Sequence, residues 1–166
     1  MFGQRAEDIS ESPLRQDDAR HCIDVLHAIQ GMGNQLGGFE FVQAPADQAK
    51  LVLGGTEVSV RADLLVHGIG RGQEQIGAAV LRMTQDDADT ESARERRREM
   101  GRYVATLARL HLDRNIPANG RIPTNRLCMS IDVQHGDIFQ APSSNVRRVN
   151  DLESACRVIA AMWSQV

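Results

Sequence analysis

Asp63 and its neighbours are where side-chain types and spacing could do chemistry. Read as a strand, Thr56 to Val66 places Glu57, Ser59, Arg61 and Asp63 on one face, with Val58, Val60, Ala62 and Leu64 on the other. Two carboxylates on one face of a strand that leads into a buried hairpin could hold a divalent metal. The next apolar run, Gln75 to Met83, offers Ala78, Val80 and Arg82, where a metal-dependent enzyme would want an acid and a lysine. Lys50 is the only lysine and falls in a loop. Nearly all the positive charge is arginine, which stabilises phosphate charge but is a poor base.

The elements that must position these residues follow from periodicity and turn chemistry. Residues 1–16 read as a flexible extension, and residues 17–166 as a single domain. A first helix is predicted from Asp17-Asp18 to the Gly31-Met32-Gly33-Asn34 stop, with the stripe Ala19, Cys22, Ile23, Leu26 and Ile29. Strands are predicted at Phe39–Val42 and Leu51–Leu53. The latter meets Thr56–Val66 across Gly54-Gly55, a hairpin signal. The glycine-rich stretch His67 to Gly72 reads as a turn before Gln75–Met83.

Asp86, Asp87, Asp89 and Glu91 form an acidic loop before the longest helix, Glu91–Arg114, whose stripe is Met100, Tyr103/Val104, Leu107 and Leu110 or His111. Residues 115–125 read as a loop. Leu127, Met129, Ile131 and Val133 alternate as a strand, and His135-Gly136-Asp137 turns the chain into Ile138-Phe139. A last helix is capped by Asn150 with Glu153 and carries the stripe Leu152, Ala155, Cys156, Ile159, Ala160 and Trp163. The expected fold is α/β, a three-layer-like sandwich on a mixed central sheet in the order α-β-β-β-α-β-β-α.

Arg61-Ala62-Asp63-Leu64-Leu65-Val66, a turn, and Ile76-Gly77-Ala78-Ala79-Val80-Leu81-Arg82 follow one another within that order. This arrangement, over roughly residues 17 to 140, resembles the core of the PD-(D/E)XK, or restriction-endonuclease-like, superfamily. The resemblance implies that Asp63 stands for the motif aspartate, and that Ala78 and Val80 stand where the family carries its second acid and lysine. It also implies a magnesium site. Glu74, across the hairpin, is the candidate second acid, so Asp63 and Glu74 would hold Mg2+ and Arg82 would contact phosphate in place of the lysine. Glu57 lies about 20 Å along an extended strand from Asp63, too far to share one ion without a bend. Asp24 on the first helix is a further acid that could approach.

Arg94, Arg96, Arg97, Arg98 and Arg102 cluster at the start of the long helix. They read either as a phosphate-contacting patch, with Arg94, Arg97 and Arg98 as nucleic-acid contacts, or as a solvated face paired to Glu91, Glu95 and Glu99. Arg147-Arg148 before the last helix offer a second anion contact. Asp132 on an apolar strand needs a partner if buried. His67 lies near the Asp63 strand, and His111 reads as partly buried and structural. The histidines and cysteines do not cluster as zinc ligands. Cys22, Cys128 and Cys156 read as small buried residues of a reducing cytoplasm.

The 166 residues are 42% hydrophobic and 25% charged with a net charge of −3. This is an ordinary globular composition and not that of a basic nucleic-acid binder. No long apolar run suggests a membrane span, and Met1 to Gln16 is too polar for a secretory signal. Two functions remain open. One is a catalytically degenerate domain serving as a nucleic-acid-binding or protein-interaction module, with DNA, RNA, a protein or a second copy as partner. The other is a Mg2+-dependent phosphodiesterase acting on DNA or RNA. If the chain assembles with itself, the last helix or the Phe39–Val42 edge would supply the interface.

Overall fold

Ser12 begins the first helix. Its hydroxyl accepts from Arg15 N at 3.5 Å, and Pro13 at the first helical position has its φ already set for the turn. Helix α1 therefore runs Pro13–Gly31, four residues ahead of the expected start at Asp17, and the expected extension is helical from Pro13 onward. The computed structural model describes residues 12–83 and 89–163; Asp86 and Asp87 of the expected acidic loop lie outside them. The predicted stripe of α1 holds in part, with Ala19 buried and Ile29 packed on the core. Val25, Ala28 and Ile29 reach the core, whereas Cys22 is exposed. A short helix α2, Gly33–Leu36, follows.

The main sheet carries β1 (Glu40–Gln43), β4 (Leu64–Gly70), β5 (Gln73–Arg82), β7 (Met129–Asp132) and β8 (Asp137–Gln140) in that spatial order. A two-residue strand, β6 (Ile122–Pro123), also pairs with β5. β1, β4 and β5 are antiparallel, β5 and β7 parallel, and β7 and β8 antiparallel. The molecule is thus an α/β sandwich on a mixed sheet, as expected. β4 and β5 join through Arg71 and Gly72, both at positive φ (52° and 73°), the conformation of a tight hairpin turn. Strand pairing consequently extends through Gly68, Ile69 and Gly70, where the sequence predicts a turn.

Thr56–Val66 is not one strand. Thr56–Val58 is β3, paired with β2 (Leu51–Leu53) in a separate two-stranded sheet, and Leu64 opens β4. The break has a physical cause in Gln48. Its amide accepts from Ala62 N at 2.9 Å and donates to Ala62 O at 2.8 Å, so a side chain takes the backbone groups that a neighbouring strand would have used. Glu57 and Asp63 therefore do not share a strand face. Glu57 pairs instead with Lys50 at 2.8 Å, which holds its carboxyl below the usual range.

Helix α3 (Glu91–Asn115), capped by the Thr90 hydroxyl on Ala93 N, crosses from β5 towards β7. It meets the sheet through Ala93, Arg97, Gly101, Ala105, Ala108 and Leu112, while Met100 of the expected stripe is 56% exposed. Small side chains let the helix sit close: a Cβ on Gly101 would overlap the Phe139 ring. Ala105, Ala108 and Leu112 pack with Ile76, Ala78 and Cys128 on this face. The opposite face places Val66, Ala79, Met129 and Ile131 against Met32 and the α1–α2 side chains. Helices thus cover both faces, and β7 is buried at every position.

Helix α4 runs Val146–Trp163, so Asn150 is interior and Arg147 and Arg148 lie in its first turn instead of before it. It rests on the small β2–β3 sheet, burying Cys156 against Leu51 and Leu53, with the Thr56 hydroxyl donating to Cys156 O at 2.9 Å. That support is narrow, so Ile159 and Trp163 of its apolar stripe remain exposed. Among the described residues no helix is long and apolar enough to cross a membrane.

Candidate anion-binding groove

Antiparallel pairing puts the start of β4 beside the end of β5, and parallel pairing puts the end of β5 beside the end of β7. Asp63, Arg82 and Asp132 therefore sit at one end of the sheet, which is part of the predicted constellation. Their carboxylates and guanidinium are already engaged. Asp63 Oδ2 accepts Leu81 N–H at 2.7 Å, so this exposed acid caps a strand amide. Asp132, fully buried, accepts from His135 Nδ1 at 3.0 Å through Oδ1, and its Oδ2 faces Arg82 Nη2 at 3.6 Å. Asp132 is thus hydrogen-bonded at Oδ1, where His135 ties down the β7–β8 turn, and at Oδ2 it has an ion pair that stops short of a hydrogen bond. The Arg82 guanidinium serves this buried carboxylate instead of standing free for phosphate.

Glu74 lies at the other end of the hairpin. It pairs in register with Ile69, six positions along β4 from Asp63, or about 20 Å. It faces Arg121 at 3.4 Å. The expectation that the hairpin brings Glu74 to Asp63 is corrected: the turn falls next to Glu74, so the two acids are at opposite ends and cannot hold one Mg2+ ion. Among the described residues no group of three or more His, Cys, Asp or Glu side chains could hold a metal. Asp63 and Glu74 as a pair therefore do not fit one magnesium ion, and no catalytic step follows from them. His67 is likewise elsewhere, facing Glu40 on β1 at 3.7 Å.

The arginines of α3 divide by helical phase. Arg94 is bound to Asp89 at 2.8 Å and holds that carboxyl below its usual range. Arg97 turns inward and is 7% exposed, so it is a core-facing residue and no surface phosphate contact. Arg98 faces outward, and one turn on so does Arg102. These two, with Arg148 of α4, line an open groove of about 700 Å³ whose floor and far wall are Ile138, Phe139, Gln140, Ala141, Pro142 and Ser143. No described acid lines it.

The groove is held in shape from beneath. Glu99 accepts from Arg102 Nη1 at 2.7 Å and from Arg148 Nη2 at 2.8 Å, and these two guanidinia, Arg102 first, keep its carboxyl below the usual range. Arg148 also stacks over Tyr103, 5.6 Å from the ring centroid. Tyr103 donates to Asp151 at 2.8 Å, which raises its pKa. The loop wall is pinned by Asn125, whose Nδ2 donates to Pro142 O at 2.6 Å while its Oδ1 accepts from Arg109 at 2.6 Å. Arg98 likewise pairs with Glu95 at 3.0 Å, so the three guanidinia stand against two carboxylates, and an entering anion meets one positive charge in excess at fixed positions.

Sequence reading found Arg98 and Arg102 in the cluster and Arg148 as a separate candidate. It missed that they converge, because the signal is tertiary: α4 begins where β8 ends, and only packing brings Arg148 to Glu99. It also missed Phe139, Gln140 and Ser143 as walls. Comparison with protein-family models, with curated proteins and with solved structures finds no match to this chain.

Proposed function

We propose that this chain is a catalytically degenerate, restriction-endonuclease-like domain that works as a binding module for a polyanionic partner. The observation that carries the reading is the groove in which Arg98, Arg102 and Arg148 converge, three guanidinia against the carboxylates of Glu95 and Glu99, with no acid among the lining residues. Nucleic-acid phosphates and protein carboxylates share the chemistry it would recognise, namely anionic pairs of oxygens that accept paired N–H donors. The opposing positions of Asp63 and Glu74 favour binding over phosphodiester hydrolysis.

The test is a fluorescence-anisotropy titration with labelled single-stranded DNA and labelled polyglutamate. Each is run with Mg2+ or Mn2+ and with chelator, and the DNA is then run on a denaturing gel. The reading expects at least one polyanion to bind with or without metal, and the DNA to emerge uncut. Cutting that requires metal and disappears in Asp63→Ala would establish the phosphodiesterase instead. Binding of neither polyanion would remove the proposal.

A further inference from the structure

We infer that the partner is an extended, acidic protein segment that adds a strand to the outer edge of β8. This rests on the binding-module reading above and names the occupant of that groove.

β8 is an end strand of the sheet. Its pairing with β7 is Met129↔Gln140, Ser130↔Phe139, Ile131↔Ile138 and Asp132↔Asp137, and Ala141 N donates to Cys128 O at 2.8 Å. In an antiparallel ladder hydrogen-bonded pairs alternate with non-bonded ones. The bond from Ala141 therefore makes Phe139 and Asp137 the residues that bond to β7. Ile138 and Gln140 turn their N–H and C=O groups away from the sheet, so two donors and two acceptors face outward beside the groove. Such an edge is a template for another strand unless it is covered or blunted. β8 has no proline or lysine to blunt it.

Charge selects the occupant. Phe139 lies on the α3 face, where its ring meets Gly101. Alternate side chains of an added strand point to that same face, towards Arg98, Arg102 and Arg148. Acidic residues at every second position would meet the arginines, while the main chain pairs with Ile138 and Gln140. A second copy of β8 would bring a second set of these arginines to the same place, so like charges oppose self-pairing. The groove also offers little to nucleotide bases. Phe139, the aromatic among its lining residues, is packed against α3, so phosphates would find cations but bases no stacking platform.

The experiment uses a synthetic peptide of about eight residues alternating Glu and Val. Its controls are the same peptide with Gln for Glu and a single-stranded oligonucleotide. Amide hydrogen exchange of the 15N-labelled protein is followed by NMR. The Glu peptide is expected to slow exchange at Ile138 and Gln140 by about tenfold or more, and the Gln peptide to bind about tenfold more weakly. Gln140→Pro removes an outward N–H that makes no bond within the sheet, and proline is accommodated on such edges. It should keep the denaturation midpoint and lose the peptide, and Arg98→Gln/Arg102→Gln should lose it as well. Peptide binding with no slowing at Ile138 and Gln140 would overturn strand addition while leaving the binding module intact. Binding of the oligonucleotide alone would overturn the acidic-segment partner. Binding of neither would overturn both readings.

Discussion

His111 is the residue whose protonation the fold specifies most tightly. It is fully buried, its Nε2 lies 2.8 Å from Gln48 Oε1, and its Nδ1 lies 3.0 Å from Asn115 Nδ2. An amide nitrogen only donates, so Nδ1 must accept and the ring is the neutral Nε2–H tautomer. Burial lowers its pKa below 6.5 accordingly. The unfolded chain then binds this proton first, so the stabilisation is complete above pH 6.5 and is lost as pH falls through the lowered folded value. Urea midpoints at pH 7.5 and 5.5 should show a drop that is smaller in His111→Leu; equal drops would refute this assignment. Asp132 and Asp63 contrast at the same scale. Asp132→Ala removes the fully buried carboxylate that Arg82 and His135 both face and should lower stability by about 3–5 kcal/mol. Asp63→Ala loses one exposed cap and should lower it by about 1 kcal/mol, both read by urea denaturation. The need of Asp132 for a partner was legible in its apolar strand. The duty of Asp63 was not, because its partner is the main-chain amide of Leu81, which carries no residue signature.

At the scale of elements, helix α3 decides the architecture through residues that hydropathy patterns underweight. Gly101, Ala105 and Ala108 face the sheet, while the larger Met100 lies outside. The length of the helix was legible from its punctuation and its phase only in part: Leu107, Leu110 and His111 do pack inward, but the small sheet-facing residues allow close approach without looking hydrophobic. Gly101→Ala adds one methyl against the Phe139 ring. It should destabilise by about 1–3 kcal/mol despite alanine's better helix propensity, as a thermal-melt comparison would show. A neutral or stabilising result would mean that α3 is free to shift off β8. Strand alternation likewise identified Thr56–Val66 as extended chain but could not show its break, because Gln48 competes for Ala62 from outside the strand. Helix α4 shows the converse: its stripe was legible, but a stripe does not say how much of it a neighbour will cover.

For the whole molecule, a net charge of −3 argues against general attraction to nucleic acid. The proposed binding surface is a local departure from that average, made by two helices and an edge strand. The arginines were legible as residues, and their convergence depends on chain crossings that composition does not record. The sheet order explains both the groove and the failed metal pair: β8 ends the sheet beside α3, and the β4–β5 hairpin separates Asp63 from Glu74. The most direct measurement of this account is the dissociation constant of labelled polyglutamate at stepped salt concentrations, for the unaltered chain and for Arg98→Gln/Arg102→Gln. The account predicts binding that weakens steeply with salt, and a variant that binds about tenfold or more weakly at low salt with a flatter salt dependence. Identical curves for the two proteins would contradict it, since the groove arginines would then have no part in recognition.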